Sequence, residues 1–201
     1  MASRLLAVVL AALVLVPCAT AARVHVRVEG KTQTIFGASA PTLEAANALE
    51  ALDRASVAAE FFYHLQQLPF GPYVDQVGRY AAEGQTGWVF KVNGKSPPVG
   101  ADQVRLQDGD AVLWYWAQFG IAGGPRTLAL ERAPQRNCYR VYSEGDNGAR
   151  TAAVGATLRV GGRRAVRTRR AGQAAVGCVG KHNGLLVRAT LGGAVRSNAL
   201  P

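Results

Sequence analysis

The sequence predicts an α+β domain followed by an all-β sandwich, and three observations carry that expectation. Charge is unevenly divided: residues 22–120 hold eight Lys and Arg against ten Asp and Glu, residues 121–201 fourteen against three. The step from −2 to +11 falls on Gly120-Ile121-Ala122-Gly123-Gly124-Pro125, so a linker is placed at 121–125, between domains at 22–120 and 126–201. Hydrophobic periodicity changes there too, from strands interrupted by one helical stretch to seven short runs separated by Gly-rich or Asn-Gly turns. At 201 residues, 49% apolar and 18% charged, the chain is long enough for two cores, and its composition excludes disordered and collagenous classes.

The chain opens with an export signature over residues 1–21. Arg4 supplies a positive start, Leu5 to Val16 an apolar run, and Ala19-Thr20-Ala21 a small-x-small cleavage site. The run is shorter than the ~20 residues of a spanning helix, and no later segment approaches that length. The expected product is secreted. The alternative is a lipoprotein at Cys18, since Leu15-Val16-Pro17-Cys18 has the outline of a lipobox, with Pro17 where a small residue belongs.

In the first domain, Val24, Val26 and Val28 alternate with His25, Arg27 and Glu29, the pattern of a half-buried strand. Thr32 to Phe36 returns after a Gly30-Lys31 turn as a hairpin. Thr42 is the expected N-cap of a helix through Ala55, with Glu44 in its first turn and Leu43, Ala46, Leu49 and Leu52 at helical spacing. Two strands follow, Phe61 to Leu68 and Tyr73 to Tyr80, joined through Pro69-Phe70-Gly71-Pro72. Trp88, Phe90 and Val92 then share one strand face, and Asn93-Gly94 suits a tight turn because both residues tolerate positive φ. Val112 to Trp116 is apolar on both faces. Such a strand is central and covered twice, or it reserves one face for a ligand or for the neighbouring domain.

The series Gly87-Trp88 to Val92-Asn93-Gly94, Pro97-Pro98-Val99-Gly100-Ala101, Leu106-Gln107-Asp108-Gly109-Asp110 and Val112-Leu113-Trp114-Tyr115-Trp116 resembles the transcobalamin-like C-terminal domain family over about residues 23–119. The resemblance implies a β-grasp-like fold and raises cobalamin as the one cofactor in view; no other cofactor is expected.

The second half reads as strands at Thr127–Leu130, Tyr139–Tyr142, Ala156–Val160, Arg164–Thr168, Ala174–Val176, Leu185–Thr190 and Ala194–Asn198, enough for a sandwich. Gly155 to Gly162, with Thr168-Arg169-Arg170-Ala171-Gly172 and Gln173 to Val176, resembles bacterial immunoglobulin-like and carboxypeptidase-regulatory-like domains. Once Cys18 leaves with the leader, Cys138 and Cys178 remain as an even pair in an oxidising compartment. A structural disulfide is the natural reading, with no C-x-x-C and no His grouped beside either for metal or redox work.

Catalytic patterns are not recognisable. His25, His64 and His182 lack metal-ligand spacing, Gly177 to His182 fails as a P-loop, and Glu144 to Gly148 lacks the calcium-loop series. Asp108 and Asp110 flank a turn glycine and read as structural. The expectation is a non-catalytic binding module for an unidentified small molecule, its contact on Trp114, Tyr115, Trp116, Phe119, Pro97 and Pro98. As core these aromatics explain themselves; Trp114 and Trp116 share one face and Tyr115 the other, so that one set is free to line a ligand groove or the interdomain contact. The competing class is an adhesive protein in which Arg159, Arg163, Arg164, Arg167, Arg169 and Arg170 touch anionic envelope polymer; a hydrolase with an unrecognised site is third. Nucleic acid is not expected as a partner, because no aromatic interleaves that arginine run.

Overall fold

A computed structural model describes residues 21–69, 71–120 and 123–201, and it is built almost wholly of strands around one helix. The predicted leader, all but Ala21, lies outside the described residues, as do Phe70 of the first turn and Ile121-Ala122 of the linker. The first half comprises β1 (Ala22–Glu29), β2 (Thr34–Phe36), β3 (Thr42–Ala45), α1 (Ala48–Ala59), β4 (Tyr63–Leu68), β5 (Gly71–Val77), β6 (Tyr80–Ala81), β7 (Thr86–Val92) and β8 (Ala111–Gln118). Its main sheet runs β2-β1-β8-β7, with β3 also paired to β1, and β8 lies centrally, parallel to β1 and antiparallel to β7. A second ribbon, β4-β5-β6, sends Val74 and Val77 into the same core as Val24, Val26, Val28, Leu52 and Trp88.

The helix starts later than its periodicity suggested. Thr42 to Ala45 is a strand pairing with His25 to Ala22, and the cap is Asn47, whose Oδ1 accepts the Glu50 amide at 2.8 Å. Glu50 Oε2 in turn accepts the Ala46 amide at 2.8 Å, so cap and first turn satisfy each other's free amides. A vacant edge of β1 thus outcompeted one more turn of helix. The turn after β1 is also longer than predicted, closing with the Gly30 amide on the Gln33 carbonyl. Asn93 and Gly94 do adopt positive φ, 51° and 79°, but only Val92 and Lys95 pair across that turn. The strand completing the pair, β8, arrives after a long connection.

The second half comprises β9 (Thr127–Arg132), β10 (Cys138–Glu144), β11 (Arg150–Ala152), β12 (Thr157–Val160), β13 (Arg163–Arg167), β14 (Arg169–Ala171), β15 (Ala174–Cys178), β16 (Val187–Thr190) and β17 (Ala199–Leu200). One sheet is β11-β10-β15-β14 with β9 on β10; the other is β13-β12-β16-β17. Leu128, Leu130, Tyr139 and Val141 of the first sheet share a core with Leu158, Val187 and Ala189 of the second. Three strands of this half fall outside the predicted runs, β11, β14 and β17, and each is two or three residues long, too short for an alternation to show. Residues 194–198, predicted as strand, hold one bridge, Val195 to Thr127, and regular pairing waits until Ala199. Cys138 and Cys178 face each other across β10 and β15 and form a disulfide.

Candidate functional site

The main sheet of the first half is covered on both faces, and the two coverings differ in chemistry. One face carries α1 and the apolar core. On the other, Arg27, Glu29, Lys91 and Tyr115 are buried against the second half. Along β1 the alternation separates buried from wet as far as His25, and from Arg27 onward it separates an apolar face from a charged, buried one. Burying a charge is tolerable only with partners. Glu29, fully buried, accepts Arg27 Nη1 at 3.0 Å and Arg196 Nε at 3.0 Å, and also binds Arg188 Nη2 and Thr34 Oγ1. Burial pulls the Arg27 and Arg188 guanidinium pKa values below their ordinary range, against the opposing pull of Glu29.

Lys91 is the second buried charge. Its Nζ donates to Thr127 Oγ1 at 3.2 Å and to the carbonyls of Glu144 and Gly145 at 3.3 and 3.0 Å, with Asp146 Oδ1 at 3.5 Å. Desolvation lowers its pKa, and Asp146 only partly offsets the effect. Tyr115 lies beside it, the ammonium 6.0 Å from the ring centroid, and burial pushes the phenol pKa up. Sequence reasoning allowed that one face of the Val112–Trp116 strand meets the neighbouring domain, but it did not pick out Arg27, Glu29 or Lys91 as the charges buried there.

The six residues expected at a ligand contact are divided by the structure. Trp114 is 2% exposed, stacks on Phe90 at 5.0 Å between centroids, and donates its indole N–H to the Ala48 carbonyl at 2.9 Å. Tyr115 belongs to the junction. Pro97 and Pro98 follow the Asn93-Gly94 turn, at the opposite end of the β7–β8 pair from Trp116, where the Ser96 amide donates to the Asp146 carbonyl at 2.8 Å. Trp116 and Phe119 do come together. Trp116 is half-buried, Phe119 is 38% exposed, and both line an open groove of about 600 Å³ between the halves, together with Lys31, Pro125, Val195 and Arg196. Lys31 Nζ sits 5.0 Å from the Trp116 ring centroid, a cation–π contact.

The remaining candidates occupy structural or exposed places. Asp108 Oδ1 accepts the Arg23 amide, and Asp110 accepts Gln107 N and Asn93 Nδ2, so both carboxylates hold turns. His64 pairs with Asp75 at 2.7 Å on the β4–β5 ribbon, His25 touches the Ala40 carbonyl, and His182 Nε2 meets the Tyr139 hydroxyl. Among the described residues no group of three or more His, Cys, Asp or Glu is placed to hold a metal ion. Arg159, Arg163, Arg164, Arg167, Arg169 and Arg170 are all exposed.

The ordered series from the helix through β8, on which this site is built, matches a described family: residues 45–118 fit "Domain of unknown function (DUF4430)". The match covers 74 of the 201 residues. It includes Trp114 and Trp116 but not Lys31, Phe119 or the second half, so the groove is made where the DUF4430 domain meets residues outside it. No curated protein matches the chain. Among solved structures, it is similar to "a putative metal binding protein from Ruminococcus gnavus ATCC 29149", at 21% identity over 49% of this chain and 99% of that one, with a TM-score of 0.39. Among the described residues no helix is long and apolar enough to cross a membrane.

Proposed function

We propose that this protein is an exported, non-catalytic binding module, a β-grasp-like domain of transcobalamin type followed by an immunoglobulin-like sandwich. Its ligand contact is the groove at Trp116 and Phe119. One observation carries the reading: two aromatic side chains stay partly open in a concave junction, with Lys31 and Arg196 on the same wall. Apolar ring surface in a concavity with a few convergent polar groups is the general chemistry of small-molecule sites. A flat or cyclic organic ligand with a polar edge fits it.

The test is tryptophan fluorescence during titration with cobalamins and then with a panel of metabolites and glycans. Trp88 and Trp114 are buried, so a ligand in the groove should act through Trp116. A saturable change that Phe119→Ala weakens by about tenfold or more, with Tm altered little, supports the groove. A saturable change indifferent to Phe119→Ala and Trp116→Phe places any ligand elsewhere and overturns the reading.

A further inference from the structure

The six exposed arginines do not form one patch. Arg169 and Arg170 lie on β14, in the sheet with β15, whereas Arg159 lies on β12 and Arg163, Arg164 and Arg167 on β13 of the other sheet. Within that second sheet the register sets Arg159 directly opposite Arg164 on one neighbour and Arg188 on the other. Three arginines therefore stand in a row across β13, β12 and β16, at the ~4.8 Å spacing of adjacent strands.

Directly opposed like charges destabilise a sheet, so such a row needs a reason. Guarding an exposed edge with charge is one, and it accounts for Arg164 on edge strand β13. It does not account for Arg159, because β12 is an interior strand, nor for Arg188 beyond it. Neutralisation from within the half is lacking: residues 147–201 contain no Asp or Glu, and among the described residues Arg159 and Arg164 form no ion pair. The innermost member, Arg188, is held by Glu29. That one carboxylate also serves Arg27 and Arg196, so three guanidinium groups surround a single negative charge and two positive charges stay uncompensated. A groove of about 660 Å³ passes over Arg159, Arg188 and Arg196 without an acidic residue in its wall, and it adjoins the Trp116 groove through Ala194 and Arg196.

We propose that the Arg164–Arg159–Arg188 row, continued by Arg196, is a binding track for an extended chain of tetrahedral oxyanions such as linked phosphates. Arg188 and Arg196 are anchored through all their nitrogens, to Ser197, Thr34 and Glu29 and to Glu29, Lys31 and Gly30, and offer their charge and remaining N–H groups, while Arg159, steadied by Thr190 and Gly162, and the exposed Arg164 supply planar, multi-donor groups suited to such oxygens. No aromatic residue lies on the row for bases to stack upon, so a nucleic acid gains nothing there over a simple polyanion. The track does not depend on the aromatic groove being a site.

The experiment is equilibrium binding of inorganic polyphosphate and orthophosphate to the oxidised protein at low ionic strength, across a salt series. Polyphosphate should bind much more tightly than orthophosphate, with Arg159→Ala weakening it by about tenfold and lowering the log–log salt slope by about one. Arg170→Ala, on the other sheet, and Phe119→Ala should leave binding within about twofold of the parent. The proposal is overturned if Arg170→Ala weakens polyphosphate as much as Arg159→Ala, since the charge then acts without the row. It is equally overturned if orthophosphate matches polyphosphate, if single-stranded DNA of equal charge binds tighter, or if no salt-sensitive binding occurs. A thermal melt of Arg159→Ala serves as the folding control; with a repelling neighbour removed, its Tm should not fall.

Discussion

Replacing Glu29 by Gln tests the junction most directly. The side chain keeps its volume, so no cavity term enters, and what is lost is the charge facing Arg27, Arg188 and Arg196. Removing one partner from a buried ionic cluster costs about 3–5 kcal/mol, because the remaining charges stay buried without compensation. For a chain of this size that corresponds to a fall in Tm of roughly 6–20 °C, at about 2–4 °C per kcal/mol. All three tryptophans lie in the first half, at positions 88, 114 and 116, so fluorescence follows that half alone. Amide exchange on β10 and β15 follows the second. In urea the parent should show one coincident transition, and Glu29→Gln two, with the tryptophan signal no longer tracking the other half. Adding Arg27→Met should recover at least about 1 kcal/mol relative to the sum of the single effects, since it removes one of three repelling cations. A loss below about 1 kcal/mol with coincident transitions would refute the assignment of Glu29 as the electrostatic tie between the halves.

Two further outcomes concern Lys91 and the disulfide. Because burial lowers the Lys91 pKa below 10.5, the unfolded chain holds that proton more tightly than the folded one, so stability gained from Lys91 rises with pH between the folded value and 10.5. The difference in unfolding free energy between the parent and Lys91→Met should therefore climb across that alkaline window, and a flat or falling difference would contradict the burial argument. Replacing Cys138 and Cys178 by Ala opens a loop of separation 40 and should lower stability by about 3–4 kcal/mol on the chain-entropy account, read as a lower urea midpoint; a loss under about 1 kcal/mol would show that the β10–β15 pairing alone supplies the constraint.

Alternation and turn chemistry made most strands of the chain legible, but they state which residues share a face and not what covers it. Trp114 and Trp116 show the limit: two residues apart, they point the same way, yet one is sealed and the other opens into a groove. The difference is the placement of α1, whose first carbonyl, at Ala48, receives the Trp114 indole, while Trp116 lies toward the end of β8 where the groove begins. The late start of that helix was itself hidden, because Thr42 to Ala45 satisfies a helical pattern locally and is claimed by β1 only in the folded sheet.

The charge step near residue 121 carried more information than a boundary. An acidic half beside a basic one suggests broad complementarity, yet of the ion pairs among the described residues only Glu29–Arg188, Glu29–Arg196 and Lys91–Asp146 cross the junction. In the second half the acids Glu131 and Glu144 are occupied by Arg150, and Asp146 by Lys91. The arginines of β12, β13 and β14 are left facing solvent, and at Arg159 the register sets arginine against arginine on both sides. Solubility alone asks only for charge spread over the surface. A row that register sets beside a groove concentrates that charge instead, with only its Arg188 end paired to a carboxylate, Glu29.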